Sequence, residues 1–151
     1  MNKIYVAAPV CEQMRARWVA DLLKDEGAEI TSSWLYAPEI GYGKDSEERL
    51  KIMAERDLVE ISNSDIFLQL SLPGSPGGMH VELGYAMAFR KRIFVVGFRQ
   101  HVFHRHPDLS TIFIETQADF RDAAMNIVRK IVCSFHYINS PSIQNLVREI
   151  D

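Results

Sequence analysis

Cysteine is scarce in this chain, and the common phosphate-binding motifs are missing from it. Two cysteines, Cys11 and Cys133, lie far apart with no CxxC spacing. That excludes a disulfide framework and a thiolate metal knuckle, and leaves the reduced thiols expected of an intracellular protein. No apolar run reaches the ~18 residues of a membrane helix, and the apolar part of the opening MNKIYVAAPV is too short for a secretory signal. A soluble, cytoplasmic protein with no membrane partner is expected. Positive charge is not in excess: 17 Lys and Arg stand against 20 Asp and Glu, a net charge of −3, which argues against a nucleic acid polymer as partner. The densest basic cluster, Arg90-Lys91-Arg92, falls between a predicted helix and a predicted strand and reads as a solvated helix end. GxGxxG does not occur, and no Gly-Lys-Ser/Thr follows a glycine loop, so neither a dinucleotide fingerprint nor a Walker loop is present.

What is present is organised around residues 62–97, SNSDIFLQLSLPGSPGGMHVELGYAMAFRKRIFVVG. DIFLQL, over 65–70, is a short apolar run that predicts a buried strand. The Pro- and Gly-rich loop 71–78 follows, then a helical pattern over 79–90 and a second buried strand over 92–97. Around this unit, strands are predicted over 3–8, 28–34 and 111–115. Helices are predicted over 12–25, with Gly27 as its stop, from the Ser46 cap to Ser62, and over 119–135. Segments 35–45 and 98–110 read as loops, and a short helix is expected after Ser140-Pro141. Alternating strands and helices in a chain of 151 residues predict one α/β domain covering 1–151. Its expected architecture is a doubly wound, flavodoxin-like or Rossmann-like five-stranded parallel sheet of order 2-1-3-4-5. The switch point then lies between the first and third strands, so loops 8–13 and 71–78 should line one crevice.

Three polar residues draw attention within that frame. Glu82 is expected in the first turn of the helix that the glycine-rich loop opens into, where free N–H groups and the helix dipole favour an ionised carboxylate. A charged carboxylate beside a dry pocket can attack an electrophilic carbon, although acids in first turns also serve simply to stabilise helices. Asp57 lies late in its helix, where the dipole disfavours an acid, and an ion pair with Arg56 or a surface lysine is the plain explanation. Tyr5 alternates with Ile4 and Val6 on the first strand and would ordinarily be a core residue with one partner for its hydroxyl. His80 could line the pocket. The spacing of His101, His104 and His106 fits no zinc pattern, so a solvated loop and no metal site are expected there.

Read together, KIYVAAP, ERDLVEISNSDIFLQL and GGMHVELGYAMAFRKRIFVVG resemble the nucleoside 2-deoxyribosyltransferase family, over Lys3 to about Gly97. The resemblance is strongest to the short phage and bacterial members with a GG-x-H-V-E-L/F-G-Y-A signature, and Trp34 in TSSW suits that subgroup. It implies cleavage of the N-glycosidic bond of 2′-deoxynucleosides without a cofactor. Glu82 would be the nucleophile on C1′, Asp57 an acid assisting at the nucleobase, and Tyr5 the group orienting the nucleophile. Ala8, Pro9, Ser75, Gly77, Gly78 and His80 would contact substrate. The partners implied are a nucleoside or nucleotide, a free nucleobase, and further copies of the chain in a homodimer or higher homo-oligomer. Pro76 stands where well-known transferases carry a base-reading acid. The related nucleoside 5′-monophosphate N-glycosidases, which are hydrolases, offer an alternative reading through Ser75. A non-catalytic nucleotide-binding module is a third.

Overall fold

The computed structural model describes residues 2–38, 46–74 and 77–138. Ser75, most of the predicted 35–45 loop and the helix expected after Ser140-Pro141 lie outside the described residues. Five parallel strands form one sheet: β1 (Lys3–Ala7), β2 (Glu29–Ile30), β3 (Ile66–Ser71), β4 (Arg92–Gly97) and β5 (Leu109–Phe113), in the order β2-β1-β3-β4-β5. Four helices connect them: α1 (Gln13–Asp25), α2 (Glu47–Ser62), α3 (Gly77–Ala88) and α4 (Phe120–Ile138). The predicted doubly wound sheet and its strand order are therefore what the chain forms.

The centre of the sheet is apolar because both of its faces are covered. β3 is buried at every position, and β1 and β4 are exposed only where they begin. α1 packs against α4, and α2 against α3, which leaves one helix pair on each side. Ser46 caps α2 by accepting the Arg49 N–H at 3.2 Å, and Gly27, at φ +89°, ends α1 in the left-handed region. Gly97 is held more tightly. Its φ is +129°, and a Cβ there would lie 2.3 Å from the Ser71 carbonyl oxygen.

Boundaries moved where polar residues found better partners than a ladder. The strand predicted over 28–34 is only two residues long, because Ser33–Tyr36 turns into a 3-10 helix. The edge of β1 facing that gap is completed by side chains instead. The Val6 N–H donates to the Ser32 hydroxyl at 3.1 Å, and the Trp34 indole N–H donates to the Val6 carbonyl at 2.9 Å. β5 starts two residues before the predicted 111–115, in register with β4 through Ile93 and Leu109. α3 also begins two residues early, so that Gly77 and Gly78 belong to the helix rather than to the loop.

Candidate active site

β1 presents Tyr5 at the switch point, fully buried, with its ring stacked on Phe67 of the neighbouring strand at 5.8 Å. Its hydroxyl donates to Glu82 Oε1 at 2.9 Å. The early start of α3 changes the electrostatics expected for Glu82. It is the sixth residue of the helix, in the second turn, beyond the free N–H groups that were expected to hold it ionised. Burial instead dominates, and pushes the Glu82 carboxyl up from the ordinary 4.5 to about 8. The negative charges of Asp57 and Glu60 act in the same direction, while the Tyr5 hydrogen bond opposes them. The Tyr5 hydroxyl is itself raised, first by burial and then by the Glu82 charge.

Asp57 lies both in an ion pair and in the cavity wall. Arg56 Nη2 lies 3.3 Å from its Oδ1, the plain ion pair, and the carboxyl also faces the cavity that Glu82 faces. Burial raises its pKa above the usual range despite the Arg56 charge and hydrogen bond, which act to lower it. Glu60 shares Arg56 at 3.8 Å and accepts the Ser33 N–H at 3.0 Å, which ties α2 to the turn carrying Trp34. Two half-buried carboxyls with raised pKa values therefore share one opening, next to a third acid and one guanidinium.

The opening is a cavity of about 350 Å³ lined by Ala8, Val10, Trp34, Leu50, Met53, Ala54, Asp57, Leu58, Gly78, Met79, Val81 and Glu82. It lies at the carboxyl ends of β1 and β3, where an open α/β sheet binds ligands. Its walls are apolar apart from the two acids, and no Lys, Arg or His lines it among the described residues. The nearest arginines of α1 are engaged elsewhere: Arg15 with Gln117 and Glu12, and Arg17 with the Leu35 carbonyl.

Of the residues singled out from the sequence, Tyr5 and Glu82 meet by a hydrogen bond, and Asp57, Ala8 and Gly78 join Glu82 in the cavity wall. Pro9, Gly77 and His80 are not in that wall. Pro9 packs instead against Gly74, where a Cβ would come within 2.8 Å of it. His80 turns to His101, whose Nε2 lies 2.9 Å from its Nδ1. The solvated histidine loop expected over 101–106 needs correction. His106 is exposed, but His104 is 1% exposed and hydrogen-bonded to Gln69. The buried amide of Gln69, in the middle of an apolar strand, needs a polar partner, and the 3-10 turn Val102–Arg105 folds down to supply one. Sequence reasoning missed the wall that α2 provides through Leu50, Met53, Ala54 and Leu58. An apolar stripe facing a cavity has the same spacing as one facing a core.

No protein-family model matches the sequence, and no curated protein matches it. Solved structures do resemble the fold. A 2-deoxyribosyltransferase from Bacillus psychrosaccharolyticus is 23% identical, with 78% of this chain and 88% of that one covered at a TM-score of 0.56. The CMP N-glycosidase BcmB of Clostridium botulinum is 16% identical, covering 86% of this chain and 98% of that one at 0.52. BlsM, solved in solution, is 19% identical over 93% and 95% of the two chains at 0.55. At these identities the likeness is one of architecture. The chain shares with these structures the doubly wound five-stranded α/β fold.

Proposed function

We propose that the protein is a nucleoside 2-deoxyribosyltransferase, which breaks the N-glycosidic bond of a 2′-deoxynucleoside and passes the sugar to another base. The observation that carries this reading is the 2.9 Å hydrogen bond from the Tyr5 hydroxyl to Glu82 Oε1, at an apolar cavity that Asp57 also enters. Such a bond leaves the second carboxylate oxygen of Glu82 for the substrate and fixes the direction in which it points. Similarity of fold to a deoxyribosyltransferase and an N-glycosidase supports the same class of bond as the target.

In the first step a Glu82 oxygen bonds to C1′ of the deoxyribose while the C1′–N bond breaks and its electron pair passes to the base. Asp57, whose pKa is raised by burial, gives a proton to the departing base. In the second step a nitrogen of the incoming base attacks C1′ from the opposite face, releases Glu82, and returns a proton to Asp57. Two displacements retain the configuration at C1′. Apolar walls from Trp34, Met53, Leu58 and Val81 disfavour water as the acceptor, which supports transfer over hydrolysis. A wall without a cation among the described residues supports a neutral nucleoside over a 5′-monophosphate.

Association between copies fits the same reading. Val81 and Tyr85 on α3 and Phe89 just past its end follow one another at i, i+4, with Val81 and Phe89 exposed, and Val81 also lines the cavity. A second copy laid over this stripe would cover apolar surface and narrow the cavity mouth. The exposed, unpaired Cys11 and Cys133 suit a reducing, cytoplasmic setting.

Incubation of the protein with a deoxynucleoside and a free base, followed by chromatography, tests the reading through the appearance of the exchanged nucleoside. Absence of exchange across a panel of purines and pyrimidines rejects it. Release of base from a 5′-monophosphate but not from its nucleoside replaces it with the hydrolase, and nucleotide binding without turnover replaces it with a binding module.

A further inference from the structure

Outside the cavity, three histidines converge at the other side of α3. One nitrogen from each of His80, His101 and His104 lies within 4.8 Å of the others. His80 comes from α3, while His101 immediately precedes the 3-10 turn after β4 and His104 lies within it. The rings crowd together, with centroids 3.8 Å apart for His101 and His104 and 4.4 Å apart for His80 and His101.

The surrounding amides fix how two of these rings carry their protons. His104 Nε2 lies 2.7 Å from Gln69 Oε1, and its Nδ1 accepts the Gln100 backbone N–H at 3.1 Å. His80 Nε2 lies 3.3 Å from Gln100 Oε1, and its Nδ1 faces His101 Nε2 at 2.9 Å and the Gln69 amide nitrogen at 3.5 Å. Amide oxygens only accept, so both Nε2 atoms bear hydrogen and both Nδ1 atoms present lone pairs. A histidine that ligates through one nitrogen while the other donates to an oxygen is the arrangement typical of metal sites. His101 supplies the third ring, and its Nδ1 is buried with no hydrogen-bond partner at all. A buried ring nitrogen left unpartnered beside two oriented imidazoles marks a cluster whose polar atoms are not satisfied among themselves.

We propose that His80, His101 and His104 form a binding site for a divalent transition-metal ion, Zn²⁺ foremost. Three imidazoles and no carboxylate select zinc, copper or nickel over magnesium or calcium. At Zn–N distances of about 2.0–2.1 Å, tetrahedral ligand nitrogens stand roughly 3.3 Å apart, so the cluster closes slightly around the ion. His80 and His104 ligate through Nδ1 and keep their Nε2 bonds to Gln100 and Gln69. The Gln100 backbone N–H gives up His104 Nδ1, and His101 ligates through one nitrogen with its proton on the other. His80 and His101 are only half-buried, which leaves the fourth position open to water. The site is separate from the cavity, since none of the three lines it. Occupied, it ties the turn Val102–Arg105 to the first turns of α3, the helix that carries Glu82.

The test uses the full chain, stripped with a chelator and titrated with Zn²⁺ by calorimetry and with Co²⁺ by visible absorption. Binding of one ion per chain is expected, with the intense d–d bands of tetrahedral Co²⁺ and a rise in Tm of about 5 °C or more under saturating Zn²⁺. His101→Ala, at a half-exposed position, should abolish the bands and the rise. His106→Ala, at the exposed neighbour outside the cluster, should leave both intact. Binding weaker than millimolar, or tight binding that survives His101→Ala, overturns the proposal. If His101→Ala fails to fold, His101→Gln serves in its place, judged on the same bands.

Discussion

Removing one oxygen atom from Tyr5 should change the pH dependence of the reaction more than its maximum. Burial lifts the Glu82 carboxyl to about 8, and the Tyr5 hydrogen bond is what opposes that rise. The nucleophile is the ionised form, so activity in the free protein climbs as pH rises through that value. Tyr5→Phe keeps the ring stacked on Phe67 and deletes only the donor. A hydrogen bond to a charged acceptor contributes about 1.5–3 kcal/mol, and roughly 1.4 kcal/mol corresponds to one pH unit. The acid limb of kcat/KM should therefore move upward by about one to two pH units, and base exchange at pH 7 should fall about 10- to 100-fold. Above the shifted limb the variant should recover most of the wild-type rate. Exchange measured by chromatography from pH 6 to pH 10 decides this. A limb that stays in place, or a loss equal at every pH, would refute the role given to the hydrogen bond.

Glu82→Gln should cost about 10²–10⁴-fold in exchange rate, on the scale of losing a principal catalytic group. Its stability should behave in the opposite sense. Between pH 4.5 and about 8 the folded wild type holds a proton that the unfolded chain releases, so wild-type stability falls as pH rises through that window. Urea unfolding at pH 5, 7 and 9 should show Glu82→Gln gaining on the wild type up to about pH 8 and no further. Asp57→Asn removes a charge that raises the Glu82 pKa, so the acid limb should move to lower pH while kcat drops, as a pH–rate profile would show. Trp34→Phe leaves the buried Val6 carbonyl without its 2.9 Å donor, and denaturant titration should report a loss of about 1–3 kcal/mol. Gly97→Ala forces a Cβ against the Ser71 carbonyl at positive φ, and thermal unfolding should show it among the most destabilising single changes in the sheet.

The sheet was legible because its signals are local and repeated. Buried strands such as DIFLQL and RIFVVG are continuous apolar runs, and their alternation with helical stripes leaves few topologies open. Glu82, Asp57 and Tyr5 were legible only as separate oddities, which a resemblance to a known family groups together. The 2.9 Å contact that spans 77 residues of sequence comes from the fold. Two errors share a physical cause. The helix after the glycine-rich loop was expected to start at Met79, and segment 98–110 was expected to stay in solvent, because glycine and histidine score as loop formers. In the folded chain Gly77 and Gly78 continue α3 backwards, which moves Glu82 out of the first turn and makes burial rather than the dipole the controlling influence on it. His104 is drawn inward by a single buried glutamine that no periodicity reveals. The early end of β2 follows likewise from Ser32 and Trp34 substituting for ladder partners at Val6.

Covalent capture of the sugar by Glu82 is the step on which the proposed chemistry rests. Mass spectrometry of the protein after incubation with a 2′-fluorinated deoxynucleoside, which slows release of the sugar, measures it directly. A mass increase of one fluorinated deoxyribosyl group, mapped to Glu82 after proteolysis and absent in Glu82→Gln, is expected. An unmodified Glu82 under conditions that support base exchange, or an adduct on any other residue, would contradict it.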